Sequence, residues 1–278
     1  MDLKETAQQW LKSVAAKHLG KNIRSYKWIS YLGVIAHNAF GGICFPSPKE
    51  GKVVDSNHQF TMVKTGLAEF VIVTTALLSS PVNIGDKIGL CFYKLKRFDG
   101  TDADGRQDTT GPMLLTGAKS YFPVKWPDRY LGIDEKFSDR YTEIQNPYLQ
   151  DLINQMEAIP VDGGMRRVVN ILIDANATQL VFNDPVEERS MEDRPAINVH
   201  VSTAKHVGSV SIIYNRVPDT YTIELTPDNG SKKLILEDLY FDQLGQTLID
   251  GIDDGSWKTA RVTVLKPATK KQVATATT

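Results

Sequence analysis

Apolar residues return every three or four positions through Leu3, Ala7, Trp10, Leu11 and Val14, followed by Lys17, His18 and Gly20. That period predicts an amphipathic helix over 2–19, with cations in its last turn and a left-handed stop at Gly20. Its Trp10 face is expected to dock on the domain that follows. From Ile23 onward the period shortens to two, and clusters of Gly, Pro, Asn and Asp cut the chain into short runs. Candidate strands are 27–37, 42–45, 59–64, 69–77, 86–98 and 113–122. Strands at this spacing, without the alternating helices of a parallel sheet, predict a small β-barrel of the oligonucleotide-binding (OB-like) type. Gly33 and Gly89, inside two of the runs, suit the coiling that a small barrel demands.

After Trp126 the pattern becomes helical again. Ile144, Tyr148, Leu152 and Met156 fall four apart, and Pro147 is expected to open the helix, because a first turn tolerates its ring and missing amide. A second β unit follows. Runs 167–173 and 178–182 flank Asp174-Ala175-Asn176-Ala177 as a hairpin, and 196–202, 209–215 and 221–226 read as a meander. A helix over 234–249 and a last strand over 257–265 complete it. The expected architecture is mainly β or α+β: an N-terminal helix with an OB-like barrel over 1–125, a linker and connecting helix over 126–160, and a second α+β domain over 161–265. The basic tail 266–278 is expected to be mobile in isolation.

Composition adds bounds. The chain has 278 residues, 41% hydrophobic and 23% charged, enough for two ordinary cores without staples. Its two cysteines, Cys44 and Cys91, are too few for a disulfide framework and lack zinc-site spacing, which points to a reduced, cytoplasmic setting. The longest apolar run, 67–78, contains Glu69 and is too short to span a bilayer, so no membrane partner is expected. The net charge of −1 argues against an indiscriminate polyanion binder, yet it averages over an uneven chain. Cations gather near both termini, and acids at 99–108 and 184–193.

Signatures of catalysis are missing. There is no phosphate loop, no dinucleotide fingerprint, no helical pair of histidines among His18, His37, His58, His200 and His206, and no nucleophile elbow. The loop 99–108 places Asp102, Asp104 and Gly105 as in a calcium loop, but Gly100 and Gly111 stand where the first and last ligands belong. No metal and no cofactor is therefore expected. Scattered acids such as Asp86, Asp99, Asp134 and Glu135 leave a metal-dependent nuclease as an alternative.

Three stretches interleave rings with cations: Tyr26 to Tyr31, Phe92 to Phe98 and Lys119 to Trp126. Bases stack on exposed rings and phosphates attract cations, so this pattern suits a single-stranded nucleic acid. The candidate contacts are Lys27, Trp28, Tyr31, Tyr93, Lys94, Lys96, Arg97, Lys119 and Tyr121. The plainer alternative is that most of these rings are core. Alternation puts Lys27, Ile29 and Tyr31 on one strand face and Tyr26, Trp28 and Ser30 on the other. The resulting expectation is a non-enzymatic, single-stranded nucleic-acid-binding protein. It could form a homo-oligomer or engage a protein partner through its C-terminal domain or tail. The rival from another class is a structural or assembly protein, or an inhibitor or adaptor, of a phage or mobile element.

Overall fold

The computed structural model describes residues 2–33, 36–37, 43–44, 47, 49–101, 103, 120–125, 142–164, 166–186 and 193–269. Its first elements are helix α1 (Leu3–Val14) and strands β1 (Lys27–Tyr31), β2 (Lys49–Ser56), β3 (Phe60–Gly66), β4 (Glu69–Thr74) and β5 (Lys87–Cys91). Helices α2 (Pro147–Ala158) and α3 (Val168–Asp174) come next. Strands β6 (Thr178–Asn183), β7 (Ala196–Ser202), β8 (Val207–Asn215), β9 (Thr220–Pro227) and β10 (Leu234–Leu239) follow, then α4 (Phe241–Ile252) and β11 (Arg261–Lys266). Two-residue strands, Ala36–His37 with Ile43–Cys44 and Val124–Lys125 with Thr142–Glu143, add short pairings. The fold is mixed α+β and divides into two compact units, 1–93 with 257–278, and 94–256. Among the described residues no helix is long and apolar enough to cross a membrane.

The first unit is built on a six-stranded mixed sheet in the order β1-β4-β3-β2-β5-β11. Only β1 and β4 run parallel; the other pairs are antiparallel. Alternation sorts its side chains between two cores. Phe60, Met62, Phe70 and Ile72 meet Ala7, Leu11 and Val14 of α1, with Trp10 and Trp28 packed against them. Val53, Val63, Val71, Val73, Ile88 and Leu90 fill the other face with Phe92 and Ala260. Helix α1 starts where Asp2 accepts a hydrogen bond from the Lys4 amide at 3.2 Å, an ordinary N-cap. It does not end at a left-handed Gly20. Instead Ala15–His18 tightens into a 3-10 turn, whose His18 carbonyl takes a bond from Lys64 Nζ at 2.6 Å.

The expected OB-like barrel is corrected to an open sheet: no closed barrel forms among the described residues, and β1 and β11 are its edges. Strand β2 was not expected, because Gly51 and flanking charges break its alternation. The glycine is required there, since a Cβ would lie 2.5 Å from the Lys64 carbonyl oxygen. The run expected over 86–98 is a strand only from Lys87 to Cys91. Beyond it Arg97 and Thr101 close a turn, the Arg97 amide donating to the Thr101 carbonyl at 2.9 Å. The last strand pairs with β5 in the first sheet rather than completing the second domain. The expected strand 113–122 lies largely outside the described residues.

The second unit lays α2, α3 and α4 on one face of the antiparallel meander β6-β7-β8-β9-β10. Pro147 opens α2 as expected, capped by Asn146, whose side chain accepts from the amides of Tyr148 at 2.8 Å and Leu149 at 3.3 Å. The stretch expected as the first hairpin strand is instead α3. Every residue from Val168 to Ile173 is buried, so its apolar run has no polar face to reveal a period, and Asn170 caps the Arg167 amide at 2.8 Å. The helix expected over 234–249 divides into β10 and α4 at Leu239, where Asp238 takes a positive φ.

Arg166 holds these pieces together. Its guanidinium is wholly buried and donates to Asp162 at 2.7 Å, to Asp174 at 2.9 Å, and to Asp253. These carboxylates come from the turn before it, the end of α3 and the cap of α4. Burial works against its charge, but the three carboxylates outweigh that and hold the guanidinium's proton more firmly still. Removing one partner of a buried ion pair typically costs about 3–5 kcal/mol, because the remaining charges stay desolvated. An Arg166→Ala variant is expected to lose at least that much, read as a lowered denaturant midpoint by circular dichroism.

Candidate nucleic-acid interface

Strand register assembles a row of lysines that are far apart in sequence. Lys64 on β3 stands opposite Lys52 on β2, Lys52 opposite Lys87 on β5, and Lys87 opposite Lys266 on β11. Directly opposed residues share a face, and this is the face that carries α1, since Lys64 continues the Phe60 and Met62 alternation. Helix α1 packs over the β1, β4 and β3 side. Lys52, Lys87 and Lys266 are exposed, and Arg261, opposite Cys91, lies exposed on the same face.

Four ammonium groups in one row are an electrostatic liability. Like charges directly opposite destabilise a sheet by a few tenths of a kcal/mol to about 1 kcal/mol per pair. Two are answered. Lys64 donates to the His18 carbonyl, and Glu50 lies 3.4 Å from Lys87. Among the described residues no carboxylate answers Lys52, Lys266 or Arg261. With strands about 4.8 Å apart the row spans roughly 14 Å. That spacing is of the same order as the roughly 3.4 Å per phosphate along one strand of a nucleic acid.

The charge of the chain is divided in the same way. The stretches 1–93 and 257–278 carry 15 Lys and Arg against 6 Asp and Glu, a net +9, with no acid after residue 256. Residues 94–256 carry 17 against 27, a net −10. The overall −1 is thus the difference between a strongly basic unit and a strongly acidic one.

The contacts expected from the sequence are only partly brought together. Lys27 is exposed on β1, but on the face opposite the lysine row. Trp28 is half-buried against the α1 core. Tyr31 packs on Phe92 at 4.6 Å and donates its hydroxyl to the Lys258 carbonyl at 2.8 Å. Tyr93 is only 8% exposed and meets Trp257 edge to face at 4.8 Å, so its ring is core and cannot stack on a base. Lys94, Lys96, Arg97 and Tyr121 belong to the second unit, with Lys94 exposed and the other three half-buried. Lys119 lies outside the described residues. The row Lys52, Lys87 and Lys266 was missed, because register between strands this distant leaves no local pattern; an unbroken alternation through Gly51 would have been the one clue.

The helix-free face of the second sheet offers no substitute. Val181, Asn198, Ser211, Glu224 and Ile235 stand in register across it, a row with no aromatic ring. Of the acids considered for a nuclease, Asp86 is buried and accepts the amides of Asn83 at 2.7 Å and Ala268 at 2.6 Å. Asp99 closes a turn by accepting from the Thr101 amide at 2.8 Å, and Asp134 and Glu135 lie outside the described residues. Among the described residues no group of three or more His, Cys, Asp or Glu could hold a metal. Comparison with protein-family models, curated proteins and solved structures gave no match to this chain.

Burial raises the Tyr31 phenol to about 12, the hydrogen bond with the Tyr93 backbone opposing it only in part. Folding thus favours the neutral phenol. Its stabilisation is whole below the ordinary value near 10 and is lost as pH rises through about 12. Burial also raises the phenols of Tyr214 and Tyr221, so an alkaline spectrophotometric titration should show a group of late-ionising phenols, and a Tyr31→Phe variant should lower its amplitude by one phenol.

Proposed function

We propose that the basic unit is a non-enzymatic nucleic-acid-binding module that holds the backbone of a single strand along Lys52, Lys87 and Lys266. The lysine row carries this reading: three exposed ammonium groups are lined up across adjacent strands, at a cost in stability that a bound polyanion would reverse. The net +9 of the unit supports it, because long-range attraction speeds encounter with a polyanion. Rings contribute less than the sequence pattern predicts. Trp28, Tyr31 and Tyr93 are engaged in packing, so binding led by phosphates should be strongly salt-dependent and weakly dependent on base sequence.

Fluorescence anisotropy with a labelled single-stranded oligonucleotide tests this. Three or four phosphate contacts predict a slope of log affinity against log salt of roughly −2 to −3. A Lys52→Gln, Lys266→Gln double variant should bind at least tenfold more weakly, with the slope reduced by roughly 1.4. Lys52→Glu gives the decisive contrast. It turns two repulsive cross-strand pairs into attractive ones, so stability should rise by about 0.2–1 kcal/mol while affinity falls. Unchanged binding in these variants would remove the row from the interface. Absence of any binding at low salt would leave the assembly-protein alternative, and cleavage of the labelled strand with magnesium or manganese would restore the nuclease.

A further inference from the structure

Strand β10 is the outer strand of the second sheet; among the described residues no strand pairs with its outer edge, and its first half, Leu234 to Leu236, is apolar. Leu234 and Ile235 remain 49% and 47% exposed, and Tyr240 and Phe241, directly after the strand, are each 61% exposed. Soluble proteins usually blunt such an edge with inward charges or a covering segment, because its unpaired amides and carbonyls template pairing with another strand. Here charges flank the apolar part, Lys232 and Lys233 before it and Glu237 and Asp238 after it, and the register shifts toward Leu239, close to the positive φ of Asp238.

The order of charges along this edge identifies the strand that fits it. The sequence reads Lys232-Lys233-Leu234-Ile235-Leu236-Glu237-Asp238. Laid antiparallel against a second copy of itself about Ile235, its extended part sets Lys233 opposite Glu237, with Lys232 and Asp238 flanking that pair where the positive φ of Asp238 ends the regular register. Leu234 then faces Leu236, and Ile235 faces its own symmetry mate. The segment is thus self-complementary in charge and in hydrophobicity, the requirement of an isologous two-fold interface.

We propose that β10 pairs edge to edge with β10 of a second copy of this chain, joining two five-stranded meanders into one continuous ten-stranded sheet. The apolar side chains supply the attraction. The terminal charges set direction and register, since exposed ion pairs contribute little energy but like charges placed opposite are penalised. A parallel arrangement would stack lysines on lysines and acids on acids, so the pattern selects the antiparallel one. Lys233 already contacts Glu224 of the neighbouring strand at 2.6 Å, which holds its ammonium group near the edge in the free chain. This inference is independent of the lysine row in the first unit, and its test requires no nucleic acid.

Sedimentation velocity on the full chain over a concentration series should show a monomer–dimer equilibrium. Ile235→Lys puts two ammonium groups face to face on the two-fold axis and should shift the chain to monomer. Its circular dichroism should not change, because Ile235 is half in solvent and the Lys233–Glu224 contact is untouched. Lys233→Glu alone and Glu237→Lys alone should each weaken the dimer at least tenfold, and mixing the two should restore it, since acid then faces base at both ends. A chain that stays monomeric at every concentration overturns the proposal. So does a dimer that survives Ile235→Lys, or a mixture that recovers nothing.

Discussion

The return of β11 to β5 is the constraint on which the first unit depends. Val262 and Val264 stand opposite Leu90 and Ile88, Ala260 enters the same core, and the Ala268 amide is held by the buried carboxylate of Asp86. Residues about 170 positions apart must therefore meet before that core is complete. Non-local pairing of this kind is slow, because the entropy of closing a long loop is lost before the contacts are gained. It also has a chemical result. Only when Lys266 is set beside Lys87 does the run of lysines on β3, β2 and β5 reach the sheet edge.

The row and the Arg166 hub show two opposite uses of buried and exposed charge. Arg166 is sealed from water and met by three carboxylates, an arrangement whose energy is spent on holding a turn and two helix ends in place. Lys52 and Lys266 are left in water without a described carboxylate, in positions where their neighbours repel them. A cation that serves structure is answered within the fold; cations kept in unfavourable register have no structural return. That difference, rather than the number of lysines, is the ground on which the row is proposed as a binding surface.

Legibility in the sequence followed locality. Helix α1, the Pro147 start of α2 and the three central meander strands were all visible, because each is set by a period or a cap within a dozen residues. Helix α3 was not, since burial on every side erases the polar positions that would distinguish a helix from a strand. Strand β2 was hidden by Gly51, whose lack of a side chain is required by the close approach of Lys64. The candidate interface was legible only as an uneven distribution of charge. Rings that looked exposed in a one-dimensional pattern, Tyr93 above all, are held by partners such as Trp257, far away in the chain. The lysines that share a face were each ordinary where they stood.

The division of charge between the units bears on how such a chain could be selective. A uniformly basic protein of this size would hold any polyanion wherever it touched. Here the attraction is confined to the unit of net +9, and the unit of net −10 repels a nucleic acid by the same long-range law. Because exposed charges are screened over roughly 8 Å at physiological salt, both effects act only near their own surfaces. On the proposed reading, a strand of nucleic acid would be held where cations are in register and repelled elsewhere, which would restrict contact to one face without any base-specific readout. The near-neutral total conceals this division of charge.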